Sequence, residues 1–372
     1  MNFEIRTPPQ KDLIVFDGAS LEKFEYVLEN KNFYVIEDRK ERIKKIYCGL
    51  NFIFDFIINF FKLILRERNL HTVYLYTLIK KIKPKVIITV VDNSFKFSDL
   101  AKLLGDRIKF IAVQNANRFD YAINHYRLQN KLIKINLNKK YYFVPNYFCF
   151  GQNQIDRCKK YDIKVNKFYK IGSLSVANFF RFVEKNKISL NKEKYDICLI
   201  SEPTLGLEKI LNIKSIEEKF ANIAKYTIQY SKKNNLKFLF LQKRPFDTPN
   251  ANSKLEILFY KKYLNNEEFE FLLKNLNEKK NALSSYFGLF QSKVAVGAQS
   301  TLLSEKIGCK EKILALSVDN ENLYDFPLNG ICKLSDFNFN DLEKRLDSIF
   351  KKNITEYLQE IDKPVNHVME YD

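Results

Sequence analysis

The chain has 372 residues, 46% of them hydrophobic and 15% aromatic, with 62 Lys and Arg against 44 Asp and Glu for a formal charge of +18. That apolar share excludes an intrinsically disordered chain, and the length is enough for two domains with separate cores. The charge invites a polyanion, either anionic lipid or a phosphorylated substrate. Arg is scarce beside Lys and no nucleic-acid-reading motif is present, so no nucleic acid partner is expected.

Six cysteines, at 48, 149, 158, 198, 309 and 332, form no Cys-x-x-Cys pair. Three histidines, at 71, 125 and 367, are too few and too scattered for a metal centre. Neither a metal nor a cofactor is expected. The amino terminus opens on charged, Pro-containing sequence rather than a signal peptide, and the expected location is cytoplasmic.

In chain order, the apolar run Leu13–Phe16 ends in Asp17-Gly18, and Phe33–Ile36 ends in Glu37-Asp38. Both read as early strands of an α/β domain, with acidic residues at their carboxyl ends that serve as turn residues or face a cleft. Gly49–Leu65 is the most hydrophobic stretch. Asn51, Asp55, Asn59 and Lys62 interrupt it on one helical face, opposite Ile53, Phe56, Ile57, Phe60, Phe61 and Ile64, so it is not a membrane span. Its apolar face is expected to be buried in the domain. Flanking Lys44, Lys45, Arg66 and Arg68 keep an anionic membrane surface as the alternative partner.

Lys83–Asn93, with Val86–Val91 at its centre, is the clearest parallel-sheet strand of the first half and closes on Asp92-Asn93-Ser94. A Leu-rich helix, Asp99–Leu104, leads to the strand Lys109–Val113 and the polar cluster Gln114-Asn115-Ala116-Asn117-Arg118. Two consecutive strands therefore end in polar clusters, where open α/β sheets bind ligands. The aromatic strand Tyr141–Phe150, a helix with Ile155 and Cys158, and a short strand Phe168–Ile171 follow. The polar segment Glu184–Lys194 reads as an interdomain connection.

The second half restarts with Tyr195–Ile200 and the turn Ser201-Glu202-Pro203-Thr204, then a helix over Ile216–Lys233. The next strand, Lys237–Leu241, delivers Gln242-Lys243-Arg244-Pro245. Asn250–Asn281 reads as a charged, helical excursion over the surface. The strand Val294–Val296 is followed by the small residues Gly297 and Ala298, then Gln299. Ser300 or Thr301 caps a helix carrying Leu302, Leu303 and Ile307 that Gly308 can end. A strand, a small-residue turn and a helix N-terminus predict an anion site, because free N–H groups and the helix dipole point outward there. Glu305 falls outside a capping box and is expected to face the same cleft. A strand at Lys312–Val318 and a helical tail from Asp341 complete the chain.

The run Gln-Ser-Thr-Leu-Leu-Ser-Glu-Lys-Ile-Gly-Cys-Lys-Glu-Lys-Ile-Leu from Gln299 resembles the donor-binding segment of GT-B glycosyltransferases of bacterial surface-polysaccharide (capsule and O-antigen) synthesis. The resemblance is distant and extends to capsule Kdo transferases, polysialyltransferases and teichoic acid polymerases. It implies two Rossmann-like α/β domains facing a cleft: an acceptor domain at 1–180, a nucleotide-sugar domain at 181–340, and a closing helix at 341–372 that crosses back to the first. The implied activity is transfer of a sugar from a nucleotide-sugar to a glycan or lipid-linked acceptor, inverting and metal-independent. Asp92 would be the general base, with Gln114, Asn115 and Arg118 as hydroxyl or phosphate contacts. Gly297, Gln299, Ser300, Thr301, Glu305 and Glu202 would hold the donor. Lys243 and Arg244 would stabilise the leaving phosphate, Arg244 standing where those families commonly have the His of a His-Pro pair. A polyol-phosphate transferase, or a scaffold of the same fold without activity that binds a membrane surface, are the alternatives.

Overall fold

The computed structural model describes residues 2–18, 21–38, 45–63, 69–118, 142–161, 163–203, 205–211, 214–243, 251–277, 283–318 and 325–371. The chain divides into two compact units. The first comprises Met1–Asn115, Lys134–Phe150 and Ile155–Asn178; the second comprises Ala116–Ile133, Gly151–Gln154 and Phe179–Asp372.

The elements of the first unit run β1 (Asn2–Glu4), β2 (Leu13–Phe16), β3 (Phe33–Ile36), β4 (Lys45–Tyr47), α1 (Leu50–Leu63), α2 (Leu70–Ile82), β5 (Val86–Thr89), α3 (Phe95–Leu104), β6 (Lys109–Val113), β7 (Phe143–Cys149), α4 (Gln152–Lys160, in this unit from Ile155) and β8 (Lys164–Lys170). Six strands form one parallel sheet in the order β3-β2-β5-β6-β7-β8, with Ile14 opposite Ile87 and Ile111 opposite Asn146. Strands with both faces covered need apolar side chains on both. Accordingly Ile14, Ile87, Phe110 and Val144 pack on one side, while Val15, Val90 and Val113 pack on the other with Phe24 and Leu28. Asn69 and Ser94 cap α2 and α3 through their side-chain oxygens.

Helix α1 forms where expected but buries only part of the expected face: Phe56 packs half-buried on the core and Asn51 and Lys62 stay exposed, while Asn59 is buried. Its buried residues are Phe52, Asn59 and Leu63, while Leu50, Ile53, Phe54, Ile57 and Phe61 are exposed. The reason lies in its partner α2, which offers polar groups: Asn59 donates to Thr77 Oγ1 at 3.1 Å, and Lys81 pairs with Asp55. The expected burial of the apolar face is thus corrected. Strand β8 is also longer than Phe168–Ile171. Its first half, Lys164–Lys167, is polar because it lies on the sheet edge.

The second unit follows with α5 (Leu174–Lys185), whose last part from Phe179 belongs to it, then β9 (Tyr195–Ile200), α6 (Leu207–Leu211), α7 (Ile216–Lys233), β10 (Phe238–Leu241), α8 (Ala251–Tyr263), α9 (Asn266–Lys274), α10 (Ser284–Phe290), β11 (Ser292–Gly297), α11 (Thr301–Gly308), β12 (Lys312–Leu316), β13 (Lys333–Leu334), α12 (Phe339–Lys351) and α13 (Ile354–Gln359). Its parallel sheet has the order β10-β9-β11-β12-β13. The α8–α9 segment is more than a surface excursion: Glu256, Phe259, Tyr260 and Leu272 are buried, and Phe240 bridges to Leu276. Among the described residues no helix is long and apolar enough to cross a membrane.

Both sheets are mixed helix-and-strand units of the doubly wound kind. In each, the first strand pairs with the second on one side and the third on the other. The chain direction therefore reverses beside the first strand, and ligands bind such sheets outside the carboxyl ends flanking that reversal. In the first unit these are the ends of β2 and β5. In the second they are the ends of β9 and β11.

Candidate functional site

At the reversal point of the second sheet, Val294, Ala295 and Val296 are fully buried and Gly297 ends the strand. A Cβ on Gly297 would lie 3.2 Å from Glu202 Oε1, so the absent side chain is what lets that carboxylate approach. Glu202 follows β9 and is only 7% exposed. Its Oε1 accepts the Ala298 amide at 2.7 Å and the Gln299 amide at 3.0 Å, and its Oε2 accepts Gln299 at 3.1 Å. The sequence pattern predicts a bound anion at this turn; the acceptor on these two amides is a side chain of the protein itself.

Burial pushes the Glu202 carboxyl above the ordinary carboxylate range, while the amides of Ala298, Gln299 and Ser300 and the charge of Lys243 offset part of that. Lys243 donates through Nζ to the Glu202 carbonyl at 3.1 Å and through its amide to Glu256 Oε1 at 2.9 Å. Ser201 Oγ donates to the same Glu256 oxygen at 2.6 Å, and Tyr260 OH donates to Ser201 Oγ at 3.0 Å. Two buried carboxylates thus stand beneath the strand ends, with Lys243 holding the Glu202 carbonyl by its side chain and the Glu256 carboxylate by its amide.

Ser300 is the N-cap of α11, its Oγ accepting the Leu302 amide at 3.3 Å. Thr301 Oγ1 accepts the Asn117 amide at 3.0 Å, and Ser304 Oγ accepts Asn117 Nδ2 at 2.7 Å. Gln299 is buried; its Nε2 donates to the Asp325 carbonyl, while its Oε1 has no partner. Glu305 differs from expectation. It is fully buried and accepts Tyr286 OH at 3.0 and 3.1 Å, under a ring packed on Phe179 and Phe290. The next residue, Lys306, is buried as well, with Nζ on the Leu289 and Ser292 carbonyls at 2.8 Å each and on Glu311 at 2.7 Å.

In the first unit, Asp92 is buried beyond the end of β5 and its Oδ2 accepts Tyr147 OH at 2.7 Å. Gln114 is buried, its Oε1 accepting the Phe150 amide at 2.8 Å, and Asn115 accepts from Lys23. Arg118 is half-buried and belongs to the second unit. Arg244 lies outside the described residues. The structure therefore gathers Glu202, Lys243, Gly297, Gln299, Ser300 and Thr301 into one cluster. Sequence reasoning passed over Asn117, Glu256 and Tyr286. Asn117 lay inside the polar cluster already noted, whereas nothing local marked the other two. Among the described residues no group of three or more His, Cys, Asp or Glu is disposed to hold a metal ion.

No protein-family model matches the sequence, and no curated protein does. Among solved structures, the chain is similar to UDP-GlcNAc 2-epimerase from Neisseria meningitidis bound to UDP-GlcNAc at 15% identity and a TM-score of 0.48, over 97% of this chain and 94% of that one. It is similar to the UDP-GlcNAc 2-epimerase of Methanocaldococcus jannaschii at 13% and 0.49, over 92% and 93% of the two chains. It is also similar to a glycosyltransferase from Rickettsia africae at 13% and 0.44, over 96% and 93%.

Proposed function

We propose that the chain is a GT-B glycosyltransferase of surface-polysaccharide synthesis that takes a nucleotide-sugar donor on its second unit and an acceptor hydroxyl on its first. The single observation that carries this reading is the start of α11 at the sheet's reversal point, a turn and Ser300-capped helix N-terminus disposed toward negative charge. Glu202 braces that turn. The donor's phosphate charge is then met by Lys243, by Arg244 and by the Ser300–Thr301 start of α11, whose dipole favours negative charge. Asp92, oriented by Tyr147, takes the proton as the acceptor oxygen attacks the anomeric carbon, and the bond from that carbon to the phosphate oxygen breaks. In this reading fixed positive groups take the place of a metal at the leaving phosphate, and the single direct attack by the acceptor oxygen inverts the anomeric carbon.

The test is a thermal-shift panel of UDP, GDP, CMP, CDP and dTDP on the full chain, because a ligand that binds only the native state raises its melting point. One nucleotide should stabilise the wild type, and Ser300→Ala with Thr301→Ala should abolish the shift with the fold intact. No shift with any nucleotide would remove the reading. A second reading, a scaffold of the same fold without activity, is favoured by Glu202 filling the amides a phosphate would use. Donor hydrolysis above background, lost in Arg244→Ala, would exclude it.

A further inference from the structure

We propose that the outward face of α1, with the short strand beside its start, is a docking surface for an anionic lipid membrane. Five large apolar side chains stand in solvent along α1: Leu50 (86% exposed), Ile53, Phe54 (64%), Ile57 and Phe61 (68%). Their spacing sets them on one stripe about three turns long. Phe3 and Ile5 extend it, for both are exposed and the backbone of Ile5 and Arg6 approaches Gly49, just before the helix. The stripe is held outward by the polar contacts of Asn59 and Asp55 with α2 on the opposite side.

Exposed cations lie with the stripe: Lys62 on α1, and Arg6 and Lys45, which share Glu4 between them. An apolar stripe edged by positive charge matches a bilayer with acidic headgroups, rings entering the acyl boundary and cations meeting phosphates. A second copy of the chain matches it poorly, since each brings a formal charge of +18 and the same bordering cations. Contiguous exposed apolar surface of this kind marks an interaction site. No residue of the patch takes part in the sugar transfer proposed above, so the inference stands or falls by itself.

The experiment is co-sedimentation of the full chain with vesicles of phosphatidylcholine alone and of phosphatidylcholine mixed with phosphatidylglycerol. The wild type should sediment with the phosphatidylglycerol vesicles and be released by salt. Phe54→Glu with Phe61→Glu should weaken partition by roughly tenfold or more, with an unchanged melting temperature because both rings already stand in water. Lys351→Glu, an exposed charge on α12, should bind like the wild type. Wild type that stays in the supernatant with both vesicles would overturn the proposal. So would equal binding by the double variant, equal loss in Lys351→Glu, or a wild-type dimer that the double variant dissolves.

Discussion

The Glu202 carboxylate and the Ala298 amide, 96 residues apart in sequence, are joined at 2.7 Å. The link exists because β9 and β11 are sheet neighbours, so the residues just beyond them share one edge. The carboxyl group there satisfies two turn amides that lie just before the helix cap.

Removing it should be costly. Glu202→Ala strands the Ala298 and Gln299 amides in a buried turn, and urea titration should register a loss of about 1–3 kcal/mol. Glu202→Gln keeps an acceptor and should lose less. The pH dependence has a definite sign. Burial raises the folded-state value, so above about 4.5 the folded chain holds the proton more tightly than the unfolded one. Stability then falls as pH rises through that window. The wild-type stability curve minus that of Glu202→Gln should slope downward there; a flat difference would contradict the buried carboxylate.

Lys306→Ala removes the ammonium that serves two backbone carbonyls and Glu311 inside the second unit. An unpaired set of buried acceptors should cost about 3 kcal/mol, read as a lower urea midpoint. A variant as stable as the wild type would mean that Lys306 reaches water.

Asn59→Ala distinguishes the two orientations of α1. With Asn59 bonded to Thr77 beneath the helix, the loss should be about 1 kcal/mol in thermal melts. A neutral result would turn that face to solvent and the apolar stripe inward.

The thiols offer a check on packing. Burial lifts Cys149, Cys309 and Cys332 to about 12 and Cys198 to about 11, which leaves almost no thiolate at neutral pH. A disulfide-exchange reagent such as DTNB should label the buried Cys149, Cys198 and Cys332 slowly in the native protein and promptly in urea. Prompt native labelling of any of them would contradict the core.

Much of the sheet architecture could be read in advance. Buried parallel strands are short β-branched runs, and Leu13–Phe16, Lys109–Val113, Tyr195–Ile200 and Lys312–Leu316 carry that signal in their own side chains. Edge elements such as Lys164–Lys167 do not, because half of what fixes them is solvent. The face that α1 buries was illegible for a different reason: periodicity shows that a helix has two sides, and only the partner helix decides which is covered. At the candidate site, the anion-binding turn and the Ser300 cap follow from local chemistry. Its occupant does not, since Glu202 meets the turn through sheet pairing that no short window contains.

The pairing order has a bearing on how the second unit comes together. Strand β9 lies between β10 and β11, with Tyr195 opposite Ser292, so the strand made first acquires its second neighbour only after nearly a hundred further residues. Closing so long a loop precedes the gain from the contacts it makes, which slows collapse to the native sheet. On the ribosome, the apolar edge of β9 must wait unpaired until β11 has emerged.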